Sequence, residues 1–220
     1  VIDRFGPYLV VQLNNAGVER YRQPLLEALE KCVSPDGILL RGDSRSRRES
    51  GLSDDIEVVF GSVPDQVPLE ENGVKFVAPV HSGQKTGWFY DHRMARARLA
   101  SWVNGKSVLD VYSYIGGWGI QAGAFGASRV CCLDSSATAL DGVMTNAQLN
   151  NIADKVTVRQ GSAPETMKQM LSEGLSYDVV ILDPPAFIQR RKDIKKGITA
   201  YRRINELGLR LLKPGGLLVS

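Results

Sequence analysis

The chain is poor in the residues that would make it a secreted, metal-bound or membrane-spanning protein. It has three cysteines in 220 residues: Cys32, Cys131 and Cys132. Adjacent cysteines rarely bridge each other, and no ligand spacing for a metal is present, so a disulfide framework and a metal site are not expected. Scarce thiols with no bridge pattern suit a reducing, cytoplasmic compartment. No run approaches the roughly 18 apolar residues that a membrane helix needs. The first residues, Val1-Ile2-Asp3-Arg4, are neither a signal peptide nor an initiator Met. The last, Leu217-Leu218-Val219-Ser220, stop at the end of an apolar run, so both ends read as cuts through a longer protein. Internal repeats and low-complexity segments are also lacking. Net charge is only +3, from 27 basic and 24 acidic residues. That balance alone says little about nucleic acid. Two basic runs, Arg41 to Arg48 and Arg190 to Lys196, say more.

What is present is enough apolar sequence, 43%, to bury an ordinary globular core. Residues 1–79 read as a small α+β domain. Strands are expected at 8–13, 38–41 and 56–60, and a helix at 17–33 from the spacing of Val18, Tyr21, Leu25, Leu26 and Leu29. Asn72-Gly73 marks the tight turn of a hairpin over 69–77. From residue 80 the pattern becomes one of alternating helices and strands. Helices are expected at 91–104, 117–125, 135–150, 163–171 and 201–212, and strands at 107–111, 129–133, 156–159, 177–182 and 217–219. Such alternation implies a parallel sheet covered on both faces, an α/β fold.

Three places in the second half carry chemistry. Val108-Leu109-Asp110-Val111-Tyr112-Ser113-Tyr114-Ile115-Gly116-Gly117-Trp118-Gly119 runs strand, glycine-rich loop, helix. Glycines there let the backbone approach a ligand closely. The G-x-G-x-x-G spacing of a dinucleotide site is absent, which argues against a nicotinamide oxidoreductase. An acidic strand end with a looser glycine cluster fits S-adenosylmethionine, whose amino group Asp110 can accept from. A tight turn packing helix on sheet is the plainer explanation. Asp134 ends the next strand, 24 residues later. A carboxylate there can hold both ribose hydroxyls, or cap the following helix. Asp183-Pro184-Pro185-Ala186-Phe187 follows a buried strand. Two prolines stiffen the chain and remove two donors, so Asp183 and the loop carbonyls are held where a planar target group can be gripped. A structural turn is again the alternative.

These segments resemble the 23S ribosomal RNA 5-methylcytosine methyltransferases, over nearly the whole chain. The likeness rests on Asp3-Arg4-Phe5-Gly6-Pro7-Tyr8-Leu9-Val10-Val11-Gln12, on Ser82-Gly83-Gln84-Lys85-Thr86-Gly87-Trp88-Phe89-Tyr90-Asp91-His92-Arg93, on the glycine loop, and on the Asp183 loop with Arg190-Arg191-Lys192-Asp193 and Tyr201. The resemblance implies a Rossmann-like class I methyltransferase domain over 80–220. Its C-terminal strands would be missing, and the family's central domain would lie at 1–79. It implies S-adenosylmethionine as cofactor and RNA as partner, with the number of copies open and a homodimer among the options. Carried over by position, Lys85, Thr86, Phe89, Asp91 and Arg93 line the methionine side of the cofactor. Asp110, Tyr112, Tyr114, Gly116, Gly117, Asp134, Ser135, Ser162 and Asp183 complete its site, and Asp183, Pro184 and Pro185 are the catalytic loop. Two departures stand out. Gly161-Ser162 replaces the usual Gly-Asp that contacts adenine, and His92 stands where Gln is usual. The family's nucleophilic cysteine would fall just beyond Ser220. Two other readings remain: a methyltransferase acting on a guanine or adenine nitrogen or on a small molecule, and a non-catalytic RNA-binding fragment.

Overall fold

A computed structural model describes residues 1–220 and divides them into two compact units. The first comprises Val1–Glu70 and Phe76–Asp91, the second Glu71–Lys75 and His92–Ser220.

In the first unit, β1 (Ile2–Phe5), β2 (Tyr8–Val11), β3 (Gly37–Arg41) and β4 (Ile56–Gly61) form a sheet in that order. Helices α1 (Ala16–Glu19), α2 (Arg22–Val33) and α3 (Arg45–Glu49) connect them. Leu9, Val11, Leu13, Leu26, Ile38 and Leu40 make its core. The single helix expected over 17–33 is two: α1, capped by the Asn15 side chain on the Val18 amide, ends at Arg20, and α2 starts anew. Strand β1 and helix α3 were not anticipated. The basic run from Arg41 to Arg48, which spans the end of β3 and most of α3, is also less exposed than its charge suggests. Arg41 is 2% exposed and donates to Asp43, to the Val80 carbonyl and to the Gly83 carbonyl. Arg47 is 3% exposed and donates to the Leu13 and Ser53 carbonyls and to Glu19. These cations are fasteners between loops, so Arg47 is not available to an external phosphate. The hairpin β5 (Gln66–Glu71) and β6 (Val74–Pro79) turns through Asn72 and Gly73, both at positive φ, as a two-residue hairpin requires.

The second unit is α/β. In chain order it holds α4 (Arg93–Arg98), β7 (Ser107–Val111), α5 (Gly119–Ala124), β8 (Arg129–Asp134), α6 (Ala137–Leu149), β9 (Val156–Gln160), α7 (Ala163–Ser172), β10 (Tyr177–Leu182), α8 (Ile194–Arg210) and β11 (Leu212–Val219). The five strands are parallel in the order β11-β10-β7-β8-β9. Central β7 is buried at all five positions, as a strand covered on both faces must be. Leu109, Val111, Leu133, Met167, Val180 and Ile204 lie in one core cluster. At the start of the sheet, Asp178 accepts from the Ser107 amide and hydroxyl and from Lys213, and this holds its carboxyl well below the usual range.

Two helices differ from expectation. The one expected at 91–104 is α4 flanked by 3-10 turns at Tyr90–His92 and Leu99–Ser101. Helix α8 begins at Ile194, seven residues before the apolar periodicity does. Gly197 makes this possible, because a Cβ there would stand 2.2 Å from Ile188 Cγ1. The hairpin tip is tied into this unit by a buried network. Arg96 donates to both Glu71 oxygens at 2.6 and 3.0 Å, Gln121 donates to Glu71 at 2.8 Å, and Asn72 donates to Gln121 at 2.8 Å. No helix is long and apolar enough to cross a membrane.

Candidate active site

The second unit gathers its chemistry-bearing residues at the C-terminal ends of β7, β8 and β10. Open α/β sheets place ligands at that end. Asp110 in β7 is fully buried. Its Oδ2 accepts from the Gly119 amide at 2.8 Å, while its Oδ1 is buried with no hydrogen-bond partner. Burial pushes its pKa up from 3.8 to about 7. The Gly119 bond opposes this, the Asp183 and Asp134 carboxylates reinforce it, and Arg96 opposes it again. An acceptor left bare in a dry interior is costly, and a cationic amino group is the partner that would satisfy it. Beyond Val111 the backbone turns through Tyr112 and Tyr114 at φ 64° and 49°, and Gly116 at φ 87°. Left-handed geometry at two bulky residues is uncommon and collects at ligand loops. The loop is held from outside. The amides of Tyr112 and Ser113 donate to the Leu133 carbonyl, and Asn146 donates to the Ile115 carbonyl. Gly119 has to be glycine, because a Cβ would meet Cys132 Sγ at 2.6 Å.

Asp134 ends β8. Its Oδ2 accepts from the Tyr114 amide at 2.9 Å and its Oδ1 from the Ser136 amide at 3.0 Å. Each oxygen keeps a lone pair for a hydroxyl donor. Asp134 is not the cap of α6: that position is Ser136, whose hydroxyl accepts from the Ala139 amide. Ser135 and Ser162 are both exposed, and Ser162 begins α7 without a side-chain cap.

Asp183 follows β10. Trp118 Nε1 donates to its Oδ2 at 3.0 Å, and His92 Nε2 lies 3.6 Å from its Oδ1. The His92 and Trp118 rings are 5.8 Å apart, and the Arg96 guanidinium stands 5.8 Å from the Trp118 ring. Beside the loop, Phe187 packs on Tyr201 at 4.7 Å and meets the edge of Tyr112 at 6.3 Å, and its amide donates to the Tyr201 hydroxyl. Sequence reasoning missed Trp118, Arg96, Glu71 and Gln121. Trp118 stood inside the glycine loop, but nothing in that loop names a partner 65 residues away.

The remaining expected residues divide between the two units. Lys85, Thr86, Phe89 and Asp91 belong to the first unit. There the Lys85 ammonium sits 4.1 Å from the Phe89 ring centroid and 3.5 Å from Asp91. Thr86 is 1% exposed and its hydroxyl donates to Asp3 at 2.5 Å. Arg93, in the second unit, is exposed at the start of α4, and its carbonyl accepts from Asn72. Cys131 and Cys132 lie buried in β8, where burial pushes both thiols up. Neither is presented as a thiolate nucleophile.

Comparison with known proteins bears on this arrangement. Residues 38–220 match the family described as S-adenosylmethionine-dependent methyltransferase. The Erwinia tasmaniensis protein named ribosomal RNA large subunit methyltransferase I is 34% identical over the whole chain, and the Vibrio cholerae protein of that name 37%. The chain spans 56% of the length of each. Among solved structures, SMU.776, described as a methyltransferase and crystallised with S-adenosylhomocysteine, superposes with a TM-score of 0.84 at 23% identity. It covers 99% of this chain and 56% of its own. That similarity speaks for the fold alone. The bare Asp110 oxygen and the open lone pairs of Asp134 fit the family's cofactor, S-adenosylmethionine. With 183 of its 220 residues inside the family match (38–220), the chain belongs to the S-adenosylmethionine-dependent methyltransferases.

Proposed function

We propose that the chain is part of a cytoplasmic enzyme that methylates C5 of a cytosine in large-subunit ribosomal RNA. In this reading residues 1–79 are a central domain touching substrate and 80–220 the methyltransferase domain. The observation that carries it is the Asp183 carboxylate, fixed at the end of β10 by Trp118. The names of the relatives above supply the substrate class.

The residues divide the work. Asp110 offers its bare oxygen to the cofactor's amino group, and Asp134 accepts from the ribose hydroxyls. Tyr112, Tyr114, Gly116, Gly117, Ser135 and Ser162 line the pocket between them, and the family resemblance assigns Lys85, Thr86, Phe89, Asp91 and Arg93 to the methionine side of the cofactor. S-adenosylmethionine, when bound, supplies an electrophilic methyl group. Pro184 and Pro185 hold the loop so that Asp183 meets the N3/N4 edge of cytosine and stabilises its changed protonation. Cytosine C5 is a poor nucleophile until a thiolate adds to C6. The family resemblance puts that cysteine beyond Ser220.

A second reading, methylation of a base amino nitrogen, is favoured by the Asp-Pro-Pro loop together with the burial of Cys131 and Cys132. RNA carrying 5-fluorocytosine separates the two. A protein extended beyond Ser220 is expected to form a stable covalent adduct, and the 220-residue chain none. Methyl transfer by the longer protein without any adduct would refute cytosine C5 in favour of nitrogen. An adduct with the 220-residue chain, abolished by changing Cys131 or Cys132, would overturn the placing of the nucleophile.

A further inference from the structure

The exposed side of α8 is the strongest charged patch that the site described above does not use. Lys195, Lys196, Arg202, Arg203 and Arg210 are all exposed on this helix. At 3.6 residues per turn, they fall within about a third of its circumference. The one acid on that arc, Glu206, binds Arg202 at 2.7 Å. The other four cations have no carboxylate partner. The opposite side is core: Gly197, Ile204, Leu207 and Gly208 are buried.

This contrasts with the other basic run. Arg41 and Arg47 are buried in hydrogen bonds to carbonyls and acids, and Arg48 donates to the Asp43 carbonyl. Charge spent on holding loops cannot hold phosphate, whereas Lys195, Lys196, Arg203 and Arg210 on α8 keep theirs unspent. The helix is also fixed to the catalytic loop. Its Tyr201 hydroxyl accepts from the Phe187 amide at 3.2 Å, and its Gly197 lets Ile188 pack against the backbone. A strand gripped by α8 would therefore run on from the base held at Asp183.

We propose that the exposed face of α8 is a track for the phosphate backbone of the substrate RNA, leading away from the target base. The proposal rests on the RNA reading given above. From Lys195 to Arg210 the helix rises about 22 Å. At about 3.4 Å per phosphate along a stacked strand, this matches roughly six phosphates. A second copy of the chain does not fit the face, since like charges would meet.

The test is the salt dependence of binding to a fluorescent single-stranded RNA, between about 50 and 200 mM salt. The 220-residue chain is compared with a variant carrying Lys195→Ala, Lys196→Ala, Arg203→Ala and Arg210→Ala. Alanine favours helix, so the fold should survive. S-adenosylmethionine binding and melting temperature report that it has. At about 0.7 per phosphate contact, the slope of log affinity against log salt should become shallower by about 3, with affinity at low salt falling at least about tenfold. A charge-keeping variant, Lys195→Arg with Lys196→Arg, should match the parent. An unchanged slope, with cofactor binding intact, overturns the track and leaves the RNA reading standing. Absence of RNA binding by the parent itself, with cofactor binding retained, overturns both. Loss of binding to phosphatidylserine vesicles with RNA binding untouched would assign the face to a membrane surface and refute the proposal.

Discussion

Asp110 gives the sharpest quantitative expectation. Its carboxyl is raised from 3.8 to about 7, chiefly because folding takes it out of water. The folded chain therefore keeps a proton that the unfolded chain releases once pH passes 3.8. Stability falls wherever the folded state holds more protons than the unfolded one. The decline should run from about pH 4 to about pH 7 and level off above, with a total of about 4 kcal/mol at about 1.4 kcal/mol per pH unit. The carboxyls held low in the fold, such as Asp178 under Lys213 and Ser107, act in the opposite direction and at lower pH. They therefore leave this window clear. Urea unfolding of the parent and of Asp110→Asn at about pH 5 and about pH 8 isolates the effect, because the amide cannot ionise. The parent should lose about 2.6 kcal/mol more than the variant between the two conditions, because only the fall from about pH 5 to about pH 7 lies between them. Equal losses would refute the assignment of a buried, protonated Asp110. S-adenosylmethionine adds a second readout. A cationic amino group at Oδ1 would favour the ionised carboxylate, so binding should release a proton below neutral pH. Affinity in the parent should then weaken as pH drops below 7 by up to about tenfold per pH unit, and in Asp110→Asn it should not.

Trp118→Phe keeps the ring and removes the donor to Asp183. Cofactor affinity should hold while methyl transfer by the extended protein drops by about one to two orders of magnitude, because small misplacements of a positioning contact are expensive. A fall in cofactor affinity with unchanged turnover would contradict that role. Glu71→Ala leaves the Arg96 guanidinium buried and unpaired and should cost about 3–5 kcal/mol in urea unfolding, whereas changing Glu71 and Arg96 together to Met should recover most of the loss. If the pair change is as damaging as the single one, the network matters for something other than charge balance.

Much of the second unit was legible because its strands are short apolar runs broken by turns and helices. Five consecutive buried positions in β7 leave little alternative to a central strand. The acidic strand ends, Asp110 and Asp134, were legible for the same reason: each interrupts an apolar run where a parallel sheet turns outward. Longer-range facts were not. Lys195-Lys196-Gly197 looks like a charged loop, and only packing against Ile188 explains why α8 begins there. The break between α1 and α2 is a backbone turn, with the Tyr21 amide donating to the Val18 carbonyl, and the apolar spacing of Val18, Tyr21 and Leu25 carries straight across it. Arg41 and Arg47 read as surface charge until the carbonyls they serve, up to 42 residues away in sequence, are in place. Trp118 belonged to a recognisable loop, yet its function depends on an indole donor meeting a carboxylate from another strand.

The hairpin tip bears on modularity. Residues 71–75 count with the second unit, while the strands on either side of them count with the first. A cut in the sequence is therefore not a cut in the structure. A fragment begun at His92 would keep the glycine loop, both acidic strand ends and the Asp183 loop, yet leave Arg96 and Gln121 facing a void where Glu71 and Asn72 had been. Lineages that recombine catalytic domains would have to carry the hairpin along or rebuild that wall.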